Sequence, residues 1–448
     1  MSSLRSSREI QGNVLAPFPD EQQAFLLLRF TGQSGARELL TDLLPGITTT
    51  AELLQSPPCV CRGVGLTRSG LSRLAPEWQA DLEPFVAFHE GALARAPRLR
   101  DVGPSGPERW VFGGPRQPTV DAVLTLAAVD PEALSTEAVR WREQAESRGV
   151  ELVFDQRGAR LPGAMAGCEH FGFKDGISQP AVRGFDPADP EAPEERTPTG
   201  ARLLPAGEII LGRPRLATAG GESPPAPCAD WMRDGSFQVL RRMTQDVPGW
   251  RAQLTQLAAA ISAEHPISAD HLAAKLIGRW QSGTPLAVAP DRDAPAFSAA
   301  EPDFTDDPCG FKTPRFAHIR KMYPRDDQFF ERDWHRIIRR GVPFGPIYDP
   351  AAEVDAERGL LLNAFMASVE NQFEFLMQAW ANDPDFITAD DGPDPLVGHS
   401  DMPATLRHPD GCRWHLRFER FVHTTGTVYA FAPALSALKG LAKGAFRR

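Results

Sequence analysis

Three short segments carry residue types that could do chemistry. The first is His170–Pro180, HFGFKDGISQP, in which Gly172 and Gly176 flank Asp175. Glycine lets a backbone turn tightly or approach a ligand closely, so a carboxylate in that turn could be presented into a cavity. On spacing alone, an ordinary Asp-Gly turn bonded to its own backbone is the simpler account. The second segment, Phe316–Arg325 (FAHIRKMYPR), sets His318 among Arg315, Arg320, Lys321 and Arg325. A neutral imidazole is a good ligand for iron or zinc, and the cations would suit an anionic partner such as a carboxylate-bearing cofactor. A lone histidine is more often structural, and His335 joins it only if folding brings the two together. The third segment, Ile337–Pro346 (IIRRGVPFGP), leads an apolar pair into Arg339-Arg340-Gly341. An arginine at the end of a buried strand is costly unless it meets an anion. Arg340 reads as a surface residue at a turn.

Other chemistries lack their motifs. There is no H-E-x-x-H, no G-x-x-x-x-G-K-[ST] and no G-x-S-x-G, and Gly63-Val64-Gly65 has no third glycine at dinucleotide-binding spacing. Lys plus Arg number 48 against 58 Asp plus Glu, a net charge of −10. That balance argues against a nucleic-acid partner and against docking on anionic membranes. No apolar run approaches the roughly 18 residues of a membrane span, and the first residues lack a secretory h-region. Six cysteines scattered over 448 residues form no disulfide framework. The C-x-C of Cys59 and Cys61 has no second ligand pair nearby. The expectation is a cytoplasmic, reduced protein.

Elements of both kinds must position these segments. Ala24–Phe30, Cys59–Thr67, Ala122–Val129 and Val150–Phe154 read as strands. Helices begin after Ser34 and at Asp130-Pro131, where Asp suits the N-cap and Pro the first helical position. In the second half, Ser236–Leu240, Gly359–Met366 and Gly426–Phe431 read as strands. Helices fit near 244–262, 269–280, Ser368–Trp380 and Ala434–Ala442. Pro-rich stretches at 185–200, 220–228 and 289–308 read as long surface loops, and the one near 220 is the natural boundary. The pattern predicts an α+β protein, with a ferredoxin-like split βαβ unit used twice. Residues 1–220 form one domain and 221–448 the other, each with a mainly antiparallel sheet and packed helices. The basic end LKGLAKGAFRR reads as a surface helix.

Taken together, REIQGNVL, HFGFKDGISQP, AHIRKMYPR, RRGVPFGP and RGLLLNAFMASVENQFEF resemble the dye-decolorising peroxidases, in the larger-loop branch of that family. LLPAGEIILGRP (203–214) and AAKLIGRWQSGTPL (273–286) match as well, so the resemblance runs from Glu9 to about Phe431. It implies haem b held mainly by the C-terminal domain, with hydrogen peroxide and a bulky phenolic or dye-like reductant as substrates. By matching motifs, His318 would be the proximal iron ligand, Asp175 the distal acid–base and Arg339 the distal arginine. Leu362 stands in GLLLNAF where many relatives carry a distal Phe, and by the resemblance it would help bind the haem and change the pocket shape. Thr313 replaces a Cys before Pro314, and Met322-Tyr323 puts an oxidisable ring near the iron ligand. The second nitrogen of His318 needs an acceptor, for which Glu370 and Glu374 are candidates. Tyr348 and Trp380 rank first as remote electron donors, although for Trp380 simple packing is the better account. The alternative is a haem-binding protein for transport, storage or iron release, which would need neither Asp175 nor Arg339. A homo-oligomer is compatible with all of this.

Overall fold

Apolar runs of strand length alternate with helical periodicity along this chain, and they assemble into one nine-stranded sheet with helices packed on it, beside three two-stranded pairs. The computed structural model describes residues 3–193, 196–218, 221–298, 301–325, 332–351 and 356–444. Residue 220 and the last four residues of the basic end therefore lie outside the described residues. The first half supplies β1 (Gln22–Phe30), β2 (Cys61–Thr67), β3 (Ala122–Ala128) and β4 (Val150–Ala159). The second supplies β5 (Ser236–Gln245), β6 (Ile338–Arg339), β7 (Val342–Phe344), β8 (Gly359–Met366) and β9 (Val422–Ala432).

These nine strands run in the order β6–β8–β5–β9–β2–β3–β1–β4, with β7 also pairing with β8. All pairs are antiparallel. In the first half the second, third, first and fourth strands lie side by side in that order, and the second half repeats it with β6 and β7 taken together as its second strand, which is the ferredoxin-like arrangement. The halves meet where β9 pairs with β2 through Ala430↔Thr67 and Phe431↔Leu66. The fold is the expected α+β one.

Helices α1 (Gln33–Leu43) and α2 (Pro131–Ser147) cover the first half. The α2 stripe of Leu134, Ala138, Trp141 and Ala145 faces the core, as a period near 3.6 demands. Asp130 caps it as expected, accepting from Glu132 and Ala133 N–H. In the second half, α3 (Val247–Ser262) and α4 (Ala269–Ile277) pack on each other. The short turn α5 (His318–Lys321) and the terminal α6 (Leu435–Lys443) follow. Val369–Glu374 and Leu376–Ala381 are helical with the wide π spacing.

Strand β5 runs five residues beyond the expected Leu240, through Arg241 and Arg242. The fold makes that possible by pairing both guanidiniums: Arg241 Nη1 donates to Asp101 at 2.8 Å and Arg242 Nε to Gln156 at 2.6 Å. Edge strands β6 and β7 are too short to show a period of their own. Among the described residues, no helix is long and apolar enough to cross a membrane.

Candidate active site

A largely apolar cavity opens between the end of β5, the face of β8, the turn at Asp175 and helix α5. Asp175, His318, Arg339 and Leu362 all line it. The fold thus brings these four residues together.

The Asp175 turn is tied down from several sides. Asp175 N–H donates to Gly167 O at 3.0 Å, and Lys174 N–H to Gln281 O at 3.1 Å. Gly172 and Gly176 sit at φ +97° and +76°, a region that L side chains avoid. Asp175 Oδ1 accepts from Gly176 N–H at 2.6 Å, so the ordinary Asp-Gly turn is present. The same oxygen also accepts from Arg339 Nη1 at 2.8 Å. Oδ2 has no donor among the described residues. Burial among protein atoms pushes the Asp175 carboxyl up. The Arg339 charge, the Gly176 N–H and the Arg339 hydrogen bond outweigh it and hold the group below the usual carboxylate range. The side chain is still 37% exposed, and that exposed surface faces the cavity.

Arg339 is aimed by its strand. It pairs with Ala364 of β8, which puts it on the β8 face that also bears Leu360 and Leu362. The Gln179 side chain brackets the Arg339 backbone, accepting its N–H at 3.1 Å and donating to its carbonyl at 3.0 Å. One side chain therefore fixes the Asp175 turn to the arginine strand. Arg340 points away. It is not a free surface residue: its guanidinium reaches Asn13 O at 3.1 Å and Leu15 O at 2.8 Å.

His318 opens α5. Its Nδ1 meets Asp394 Oδ2 at 2.7 Å, which leaves Nε2 as the lone-pair nitrogen. The acceptor is thus Asp394, and neither Glu370 nor Glu374 fills that role. Glu374 is buried against Arg95 and the Tyr429 hydroxyl, and Glu370 is half-exposed near Arg95. Asp394 is itself fixed, since its Oδ1 accepts from Leu396 and Val397 N–H. Nothing in the sequence around D-G-P-D-P links that aspartate to His318. His335 lines the cavity too, but its Nδ1 meets Asn371 O and its ring stacks on Phe375 at 3.6 Å.

Three of the four cations grouped around His318 are structural. Arg320 bonds Thr313 O, Lys321 the carbonyls of Asp383 and Phe386, and Arg315 the carbonyl of Pro308. The arginines that do line the cavity are Arg241, Arg279, Arg325, Arg336 and Arg339. Tyr323 also lines it, with its hydroxyl donating to Asp333 at 2.8 Å and Arg336 over its ring at 3.9 Å. Glu169, six residues before Asp175, moves the opposite way in acidity. Burial pushes its carboxyl up to about 7, although Phe171 N–H, Gln245 and Phe173 N–H all donate to it. Thr313 is fully buried, away from the cavity lining.

The chain matches no family model. It is 32% identical to a dye-decolorizing peroxidase of Mycetinis scorodonius, over 96% of this chain and 86% of the relative. It is 29% identical to the multifunctional dye peroxidase DyP2 of an Amycolatopsis strain, over 97% and 95% of the two chains. Among solved structures, an Auricularia auricula-judae enzyme complexed with imidazole superposes with a TM-score of 0.83 at 26% identity, over 98% of this chain and all of that one. A dye-decolorizing peroxidase complexed with 2,6-dimethoxyphenol gives 0.80 at 26%, over 98% and 99%. With sequence, fold and cavity in agreement over nearly the full length, the chain belongs to the dye-decolorising peroxidases, oxidoreductases that act on peroxide.

Proposed function

We propose that this chain holds haem b in the cavity and uses hydrogen peroxide to oxidise bulky phenolic or dye-like donors. In this reading His318 is the iron ligand, Asp175 the acid–base and Arg339 the charge stabiliser. One observation carries it. A single apolar cavity presents an imidazole whose Nδ1 is already engaged by a carboxylate, together with a carboxylate–guanidinium pair. The donor set suits a planar anionic macrocycle. His318 Nε2 would ligate the metal, Leu360, Leu362, Leu376, Leu396 and Val397 would meet its faces, and Arg279, Arg325 and Arg336 would meet its carboxylates.

Bound haem iron supplies the site for peroxide and the electrons for its reduction. The chain supplies the proton handling. Asp175 Oδ2 takes a proton from one peroxide oxygen and returns it to the oxygen that leaves as water. The Arg339 guanidinium cannot titrate, so its charge offsets the negative charge that grows as the O–O bond breaks. Asp394 holds the His318 tautomer and makes its ring a stronger donor.

A haem carrier would have no use for the Asp175–Arg339 pair. Phenolic donors are supported by the dimethoxyphenol bound to one structural relative. The division into residues 1–220 and 221–448, the larger-loop branch and possible self-association belong to the same proposal. So does a cytoplasmic location, supported by six cysteines that are all unpaired. The test is the haem absorption spectrum before and after one equivalent of peroxide. Rapid change in the parent and slow change in both Asp175→Asn and Arg339→Leu supports the assignment. Unaltered rates in both variants would defeat it.

A further inference from the structure

Away from the cavity, three side chains of metal-binding type converge on the surface of the second half. Two lie in His408-Pro409-Asp410-Gly411-Cys412, the turn joining strands Ala404–Arg407 and Arg413–Leu416. The third, His265, comes from the loop between α3 and α4. A nitrogen of His265, a carboxylate oxygen of Asp410 and Cys412 Sγ all lie within 4.8 Å of one another. His265 Nε2 is 3.2 Å from Asp410 Oδ2. That separation is close to the roughly 3.3 Å edge of a tetrahedron with metal–ligand bonds of about 2.0 Å.

The turn is built to hold this set. His408 N–H donates to Cys412 O and Gly411 N–H to His408 O, both at 3.0 Å, with Gly411 at φ +98°. The strand rungs therefore fix Asp410 and Cys412 beside each other. His408 Nδ1 lies 2.8 Å from Asp410 Oδ1, the outer contact that commonly orients a ligating carboxylate. Trp414 packs edge-on to the His265 ring at 5.0 Å.

We propose that His265, Asp410 and Cys412 bind one zinc ion, with the fourth position left to water. Mixed nitrogen, oxygen and sulfur donors select a borderline metal over calcium or magnesium, which take oxygen ligands. Zinc is also redox-inert, which suits a thiolate in a protein that handles peroxide. Binding requires Cys412 as thiolate, so each zinc displaces the thiol proton to solvent and binding tightens as pH rises. The site ties the hairpin to the α3–α4 loop. That hairpin also holds the segment preceding Asp394, through Thr405 N–H to Asp391 O at 3.0 Å.

The experiment uses full-length, haem-loaded protein, so that His318 is occupied. It is freed of metal other than haem iron with a chelator and titrated with zinc sulfate against a chromophoric competitor. One equivalent should bind, and Cys412→Ser and His265→Ala should each weaken it at least tenfold, with haem absorbance and peroxidase rate unchanged. In the unmodified protein, zinc should shield Cys412 from iodoacetamide while the exposed Cys59 and Cys309 stay reactive. This protection needs no variant to fold. Zinc affinity that survives in both variants, or alkylation of Cys412 that zinc does not slow, would overturn the site.

Discussion

Proton placement at a few atoms decides what this cavity can do. Asp175 is held below the usual carboxylate range because Arg339 and the Gly176 N–H outweigh its burial. A depressed carboxyl keeps its basic form as pH falls, and loses it only when pH drops through the lowered value. The rate of the peroxide reaction should therefore stay level from neutral into mildly acidic buffer. An imidazole base, with an ordinary pKa of about 6.5, would already be protonated there. Stopped-flow rates across that range check this, and a fall resembling a histidine titration rejects Asp175 as the base. Asp175→Asn should lower the rate by about 10²–10⁴-fold. His318→Ala should lose haem or bind it weakly. Asp394→Asn should keep haem, with affinity or activity reduced about 10–100-fold and a changed absorption spectrum. Arg339→Leu should stay red and react slowly, whereas Arg340→Leu should lower stability by about 2 kcal/mol with peroxide chemistry intact. The reverse pattern in stopped-flow and thermal melts would move the assignment by one residue.

At the scale of elements, the Asp175 turn is rigid because other loops press on it. Gly283 sits at φ +97°, and a Cβ there would come 2.5 Å from Ile177 Cδ1 and 3.0 Å from Ser298 O. Gly283→Ala should therefore destabilise by about 1–3 kcal/mol and displace the turn. Turnover should drop further than haem content, which paired activity and absorbance assays compare. Equal losses would mean general unfolding. For α2, Asp130→Ala removes the two N-cap bonds and should cost about 1 kcal/mol, measured by urea melts. The two ranked electron donors separate at this scale. Trp380 is buried at 4% exposure and stacked on Phe386 at 5.0 Å, so a dye cannot touch it. Tyr348 is half-buried, with Arg251 and Arg358 over its ring. Tyr348→Phe should slow a bulky dye more than a small phenol, and equal slowing would leave it a packing residue.

For the whole molecule, the cavity exists only because both halves fold together. The Asp175 turn comes from the first half, and α5, β6 and β8 come from the second. One core cluster runs through both, with Leu66 and Leu126 alongside Phe237, Tyr429 and Phe431. The N-terminal segment adds a tie, since Gln11 donates to Pro433 O at 3.0 Å. Haem binding should therefore raise the melting temperature of the whole chain as one transition. Free haem at 100 times its Kd contributes about 2.7 kcal/mol. Calorimetry with and without haem tests this, and a second transition that ignores haem would show independent halves.

Most of what is local follows from residue types and their order along the chain. Strand β8 was legible to the residue because its apolar run is bounded by Arg358-Gly359 and by Ser368. The α2 cap was legible because Asp and Pro have their own backbone preferences. Asp175, His318 and Arg339 stood out as candidates only through motifs that resemble those of a family, since spacing alone favoured an ordinary Asp-Gly turn and a structural histidine. Tertiary structure alone decided the partners. Asp394 reaches His318 only through the path of the chain between them. Arg241 and Arg242 continue β5 because Asp101 and Gln156 arrive from the other half. Arg320 and Lys321 turn from the cavity to bond buried carbonyls. In each case the energy of a charged or polar group is set by the partner that folding brings to it, which side-chain type and spacing alone do not reveal.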